Sequence, residues 1–184
     1  MSSLNIIALR DLTAEFPSLT GVARARQLLA KLIAWTADES PKGTLFLDFT
    51  GITDASASFL RDSVLAFRDY VRAYQSDVFP VLANIADTVH EEFDTLLKAR
   101  NEAMPACRLD DAGKPVDATI IGALEASLSQ TLDIMRERGQ VSLSDLPTDI
   151  KSTTWNNRLA SLLRQGFIVP IPEPNKRIYR FVLA

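Results

Sequence analysis

Among its 184 residues the chain holds one cysteine, one histidine and seven glycines. A single cysteine excludes an intrachain disulfide and any cysteine-rich zinc site. A single histidine excludes a histidine-cluster metal centre. No GxGxxG and no GxxxxGKS/T run occurs, so no phosphate-cradling glycine loop is expected and no cofactor is implied. No apolar run approaches the ~18 residues that a membrane span requires. The opening Met1-Ser2-Ser3-Leu4 has no basic region leading into a long apolar core, so no secretory leader and a cytoplasmic setting are expected. What is present is ordinary for a globular chain: 47% hydrophobic and 23% charged residues, with a net charge of −3.

Scarcity also thins the catalytic options. A Ser-His-Asp triad would have to use His90, which lies in Val89-His90-Glu91-Glu92-Phe93. That run lacks the second histidine, at i+4, of a metalloprotease helix, and a solvated helical surface accounts for it. Cys107 precedes Arg108, whose charge favours a thiolate, but a lone buried cysteine is ordinarily inert. Asp110 and Asp111 are sequence neighbours in a loop, and such pairs do not converge as acid and base. The expectation is a protein that is not an enzyme.

A polar stretch, Asp110-Asp111-Ala112-Gly113-Lys114-Pro115, divides the chain. Residues 1–109 are expected to form one domain, 110–118 a linker and 119–184 a second domain. The first part is acidic, whereas residues 117–184 carry eight basic and seven acidic groups. In the first part, short apolar runs alternate with helical periodicities. Asn5–Leu9, Thr44–Phe49 and Val78–Ala83 read as strands. Thr44–Phe49 is nearly all apolar, as in a strand covered on both faces. Pro80 cannot donate to a ladder, which predicts an edge position or a bulge. Between these runs, Val22, Ala25, Leu29 and Leu32 mark one helix. Leu60, Val64, Phe67 and Val71 mark another. A third helix carries Val89, Phe93, Leu96 and Leu97, with Asp87 or Thr88 as its cap. The order β-α-β-α-β-α implies an α/β sheet with packed helices.

The second part has a different grammar. Ile121, Leu124, Leu128, Leu132 and Met135 predict a helix over 119–138 that ends at Gly139. Gln140-Val141-Ser142 reads as a short strand. A brief helix capped by Ser142 or Ser144 and running through Ile150 follows it. A last helix, capped by Thr153 or Thr154, turns Trp155, Leu159 and Leu162 inward and closes at Gly166. Two strand-like runs, Phe167–Ile171 and Ile178–Leu183, flank the turn Pro172–Lys176. Three helices and a hairpin follow the winged variant of the helix-turn-helix plan, an α+β unit.

The run Leu45-Phe46-Leu47-Asp48-Phe49-Thr50-Gly51-Ile52-Thr53-Asp54-Ala55-Ser56-Ala57-Ser58-Phe59-Leu60 resembles STAS-like domains, relatives of anti-sigma-factor antagonists. Gly21–Leu29 upstream and Val81–Ile85 downstream fit the same plan, so the resemblance covers residues 3–109. It implies a small α/β domain with a mixed sheet that binds a protein partner, commonly a histidine-kinase-like ATPase. Some members exchange partners when a Ser or Thr after the central strand is phosphorylated. A phosphate adds about −1.5 to −2 charge and meets the positive end of the following helix dipole. Here the acceptor position of that pattern holds Ala55, which moves such a switch onto Ser56 or Ser58. The partner-binding or phospho-switch residues implied are Asp54, Ser56, Ser58 and Phe59. The plainer role for Ser56 and Ser58 is to cap the next helix.

Trp155-Asn156-Asn157-Arg158-Leu159-Ala160-Ser161-Leu162-Leu163-Arg164-Gln165-Gly166-Phe167-Ile168 resembles the last helix and wing of winged-helix domains, with Gly139–Leu146 as the earlier turn. That resemblance implies double-stranded DNA as a partner. Asn156, Asn157, Ser161 and Arg164 would lie on the outward side or flanks of the helix, where Asn suits adenine and Arg suits guanine. Lys151, Thr154, Lys176 and Arg177 complete the candidate DNA-binding set, the last two at the wing tip. Arg158 has an alternative, pairing with Asp145 or Asp149. A homodimer, formed through the first helix of this half, would double the positive surface. The rival reading is a protein-interaction adaptor or assembly subunit that makes no DNA contact.

Overall fold

The computed structural model describes residues 5–184. It is a mixed α/β structure with a mixed parallel and antiparallel sheet. The chain opens with strand β1 (Asn5–Ala8), a single turn α1 (Leu9–Leu12) and a two-residue strand β2 (Ser18–Leu19). Helix α2 (Val22–Glu39) leads to β3 (Gly43–Asp48) and the short β4 (Asp54–Ala55). Then come α3 (Ala57–Leu60), a π-helical turn (Arg61–Leu65) and α4 (Ala66–Tyr74) in continuous succession. Strand β5 (Val78–Ala83), helix α5 (Asp87–Ala99) and strands β6 (Ala103–Leu109) and β7 (Pro115–Gly122) complete the main sheet, in the order β1-β3-β5-β6-β7.

The first four strands of that sheet are parallel, and β7 returns antiparallel to β6. Each parallel strand is added on the same side of the last. Right-handed crossovers therefore place their helices on one face of the sheet. The side chains alternate accordingly. Leu45, Leu47, Val78 and Leu82 join the buried cluster that holds Leu28 and Leu32 of α2, Phe67 of α4 and Phe93 of α5. Phe46, Phe79, Val81 and Ala83 point to the opposite face, which no crossover helix covers.

The rest of the chain covers it. Helix α6 (Ala126–Arg138), β8 (Gln140–Ser142), α7 (Ser152–Arg164), β9 (Ile168–Glu173) and β10 (Lys176–Phe181) include a three-stranded antiparallel sheet, order β8-β10-β9. Leu132, Trp155, Leu159, Leu162 and Phe181 belong to the same buried cluster as Phe46 and Phe79. The Thr44 hydroxyl donates to the Val182 carbonyl at 3.0 Å, which pins the end of the chain to β3. Both faces of β3 and β5 are thus dry, which explains their unbroken apolar runs.

Several local expectations change. The helix expected over 119–138 begins only at Ala126, because residues 115–122 extend β6 as β7. Gly122 makes that pairing feasible at φ +93°, where a Cβ would stand 2.3 Å from the Glu102 oxygen and 2.6 Å from the Leu97 Cβ. The brief helix expected through Ile150 is absent, and residues 143–150 form turns around Pro147. Ala86 and Lys151 occupy the caps of α5 and α7, so neither Asp87, Thr88, Thr153 nor Thr154 caps. In α2 the buried stripe is Ala25, Leu28 and Leu32, while Val22 is exposed and Leu29 half-buried. Pro80 sits in an interior strand rather than at an edge. Its missing N–H is tolerated because β6 pairs with β5 only at Leu82 and Ala83.

Candidate functional site

The carboxyl end of β3 is organised by one carboxylate. Asp48 Oδ1 accepts from the Thr50 amide at 2.9 Å, the Thr50 hydroxyl at 2.7 Å and Asn84 Nδ2 at 2.9 Å. Asn84, at φ +55°, accepts in turn from the Leu109 amide at 2.9 Å. This knot joins β3, β5 and β6 where their loops begin. Burial, reinforced by the Asp48 charge, pushes the nearby Cys107 thiol up to about 12, so it stays protonated and unreactive. Neither Asp48 nor Asn84 is among the site residues expected from sequence. Their signal is a polar residue closing each of two apolar strands.

The loop leaving that knot presents Asp54. The Ser18 hydroxyl donates to Asp54 Oδ1 at 2.6 Å, and β2 pairs with β4 in parallel beside it. Thr88 of α5 donates to the Thr53 carbonyl from the other side. Ser56 caps α3, accepting from the Phe59 amide at 3.3 Å. Ser58, in the first turn of the helix, is exposed, with its hydroxyl 3.3 Å from that of Ser56. Phe59 is 1% exposed and belongs to the core. A cleft of about 100 Å³ adjoins the loop, lined in part by Phe16, Ser18, Arg24, Lys31 and Phe59. Phe16 is 47% exposed at its rim, with the Arg24 guanidinium 4.5 Å above its ring.

In the other half, α7 turns Trp155, Leu159 and Leu162 into the core, and the Trp155 indole donates to the Ser142 carbonyl at 3.2 Å. That contact fixes the roll of the helix. Thr154 and Asn157 are exposed at i, i+3 spacing; Ser161 follows one turn on and accepts from Gln165 Nε2 at 3.0 Å. Asn156 is half-buried, with its Oδ1 lacking a partner. Lys151 is exposed at the start of the helix. Arg158 has a buried, unpartnered Nε and makes no ion pair with Asp145 or Asp149. Asp145 is engaged instead by Ser142, whose hydroxyl and amide hold its carboxyl below the usual range, helped by the Arg138 and Lys176 charges. Lys176 and Arg177 are exposed at the start of β10, beside a turn in which Asn175 has φ +66°. Arg164 is exposed but lines a second cleft, against Arg68 and Arg72 of α4. The structure therefore groups Thr154, Asn157 and Ser161 on one helix face and sets Lys176 and Arg177 on the hairpin. It carries Arg164 toward the main sheet.

Among the described residues, no cluster of His, Cys, Asp and Glu could hold a metal ion, and no helix is long and apolar enough to cross a membrane. No family model and no curated protein matches this chain.

Proposed function

We propose that the chain is a non-enzymatic regulatory protein of the cytoplasm, in which a STAS-like half receives a protein partner and a winged-helix half binds double-stranded DNA. One observation carries the DNA reading. Among the described residues, Lys151, Lys176 and Arg177 form no ion pair; Lys151 stands at the start of the helix whose exposed face holds Thr154 and Asn157, with Ser161 one turn on, and Lys176 and Arg177 stand on the hairpin that follows it. Unpaired cations release counterions when they meet phosphates, and short polar side chains on a helix face suit base edges. A homodimer would present two such faces. The Asp54–Phe59 segment supports the partner-binding half. Its loop is held from both sides, its helix is capped by Ser56, and Ser58 stands in solvent at the positive end of that helix. A partner seated there, or a phosphate on Ser58, would act on the second half through the sheet that both halves bury.

Mobility shifts of a duplex at several salt concentrations test this reading. Binding that weakens with salt and is lost when Asn157, Lys176 and Arg177 are changed to Ala supports it. Binding indifferent to those changes, or no binding to any duplex, overturns it.

The adaptor reading draws on a different observation. Arg164 stands at the cleft against α4 rather than in line with an open groove-facing surface. A stoichiometric protein partner, such as a histidine-kinase-like ATPase, recovered without nucleic acid would favour that reading.

A further inference from the structure

At Pro80 the ladder between β5 and β6 lapses, its pairs being Leu82–Ala106 and Ala83–Cys107. The end of α7 closes over this stretch of β5 to form a cleft of about 170 Å³. Its polar lining is Arg68, Arg72, Gln75, Ser76 and Arg164, and Leu163 joins the apolar edge of β5. Arg68 is 1% exposed. Two of its nitrogens donate to Asp69 and Glu102, while its Nη1 is buried without a partner. Arg72 donates to the Gln165 carbonyl and forms no ion pair among the described residues. Burial, then the Arg68 charge, pulls Arg72 down to about 10, against the opposing pull of Asp69 and Glu102. Among the described residues, Arg68 and Arg100 form their ion pairs with Asp69 and Glu102 while Arg72 and Arg164 form none, so these four guanidinium groups outnumber the two carboxylates by two.

Gln75 adds a feature of a different kind. Its Nε2 donates to Thr36 Oγ1 at 3.3 Å, and that hydroxyl has already committed its proton to the Ile33 carbonyl at 2.8 Å. The amide orientation is therefore fixed, and Gln75 Oε1 remains a buried acceptor without a donor. Buried polar groups in native proteins are almost always paired, and two orphans of opposite kind on residues that line one cleft call for a ligand that both accepts and donates.

We propose that this cleft binds inorganic phosphate as monohydrogen phosphate, whose oxygens accept from Arg68 and Arg72 and whose remaining O–H donates to Gln75. Guanidinium groups suit oxyanions, and the dianion matches the surplus charge. Sulfate has the same shape and charge but no proton to give to Gln75. Bound phosphate would fasten the end of α7 to α4 and β5. This site is separate from the nucleic-acid reading, because a backbone phosphodiester also lacks an O–H.

Titration calorimetry of the full chain at matched ionic strength tests the site. The expected result is saturable, one-to-one binding of inorganic phosphate, with sulfate and dimethyl phosphate at least tenfold weaker. Glycerol 3-phosphate binding more tightly than inorganic phosphate would assign the same chemistry to an organic hydroxylated source. Arg72→Met is expected to weaken phosphate at least tenfold, and Gln75→Leu to bring phosphate and sulfate to parity. Should circular dichroism show Arg72→Met unfolded, Arg164→Glu at its exposed position gives the same reading, again at least tenfold weaker. No saturable phosphate binding, equal affinity for sulfate or dimethyl phosphate, or unchanged affinity in the folded variants would overturn the proposal.

Discussion

The guanidinium of Arg72 donates a hydrogen bond to the main-chain oxygen of Gln165, 93 positions further along the chain. The bond ties α4 to the residue that ends α7. It sits at the margin of the buried cluster in which Phe46 and Phe79 meet Trp155, Leu162 and Phe181. The second half of the chain is therefore the other layer of the first half's sheet. A change in the sheet is felt at α7 through packed side chains, which deform little.

That layering has a direct consequence for stability. Phe79→Ala removes a buried ring from the shared cluster and is expected to cost about 3–5 kcal/mol. Because both halves lose packing, they should unfold together. The chain has two tryptophans, so in a Trp35→Phe background fluorescence reports Trp155 alone while far-ultraviolet dichroism reports the whole. Coincident urea transitions are expected, both shifted equally by Phe79→Ala. Separate transitions would contradict the shared core.

Ser56 and Ser58 should separate cleanly. Ser56 accepts the Phe59 amide, so Ser56→Ala is expected to lower stability by about 1 kcal/mol. Ser58 is exposed, and Ser58→Ala should change stability by less than about 0.5 kcal/mol. Thermal unfolding of the two variants checks the ranking. If Ser58 alone proves costly, the capping assignment fails.

The carboxylate beneath the arginine cluster sets a pH dependence. Burial pushes the Glu102 carboxyl up, but bonds and charge from Arg68 and then Arg100 outweigh it and hold the group below its usual range. A carboxyl lowered by folding contributes stability above its unfolded pKa of about 4.3 and loses it as pH falls through the folded value. Glu102→Gln is therefore expected to be less stable than the parent at pH 7. The gap should close as pH falls below about 4. Denaturant midpoints across that range measure it, and a gap independent of pH would contradict the assignment.

Gly122 carries a steric demand that no side chain can meet. Its φ is +93°, and an added Cβ would clash with the Glu102 carbonyl and the Leu97 side chain. Gly122→Ala should destabilise by more than the ~1 kcal/mol of an ordinary strained position, whereas Gly139→Ala, which meets nothing within 4 Å, should cost about 1 kcal/mol. Calorimetric melting of both variants gives the comparison.

Double cover of β3 is legible in its unbroken apolar run, but that the second half supplies the outer layer is not, since residues 119–184 read as a separate domain. Strands without polar alternation must be covered twice, and the β-α-β-α-β-α order follows from segments whose apolar periods differ. Trp155, Leu159 and Leu162 likewise declared the inner face of α7. The start of α6 is not legible, because Ile121 continues a helical spacing while it belongs to a strand paired with Met104. Local period cannot distinguish the two when a neighbouring strand supplies the pairing. Nor can spacing show that Arg164 approaches Arg68 and Arg72, since that cleft depends on where α7 ends relative to α4 and the start of β5. Asp48 and Asn84 were missed for a related reason, because their partnership spans two strands and exists only once the sheet has formed.

The proposed engagement of duplex DNA by the α7 face and the β9–β10 hairpin is tested most directly by fluorescence anisotropy of a labelled duplex across a salt series. Each phosphate contact contributes about 0.9 to the slope of log affinity against log salt. Replacing both Lys176 and Arg177 with Ala should therefore reduce that slope by about 1.8. Asn157→Ala should leave the slope unchanged while costing about 1–3 kcal/mol of sequence discrimination. A duplex affinity that is unmeasurable at low salt, or a slope that the double substitution leaves intact, would contradict the account.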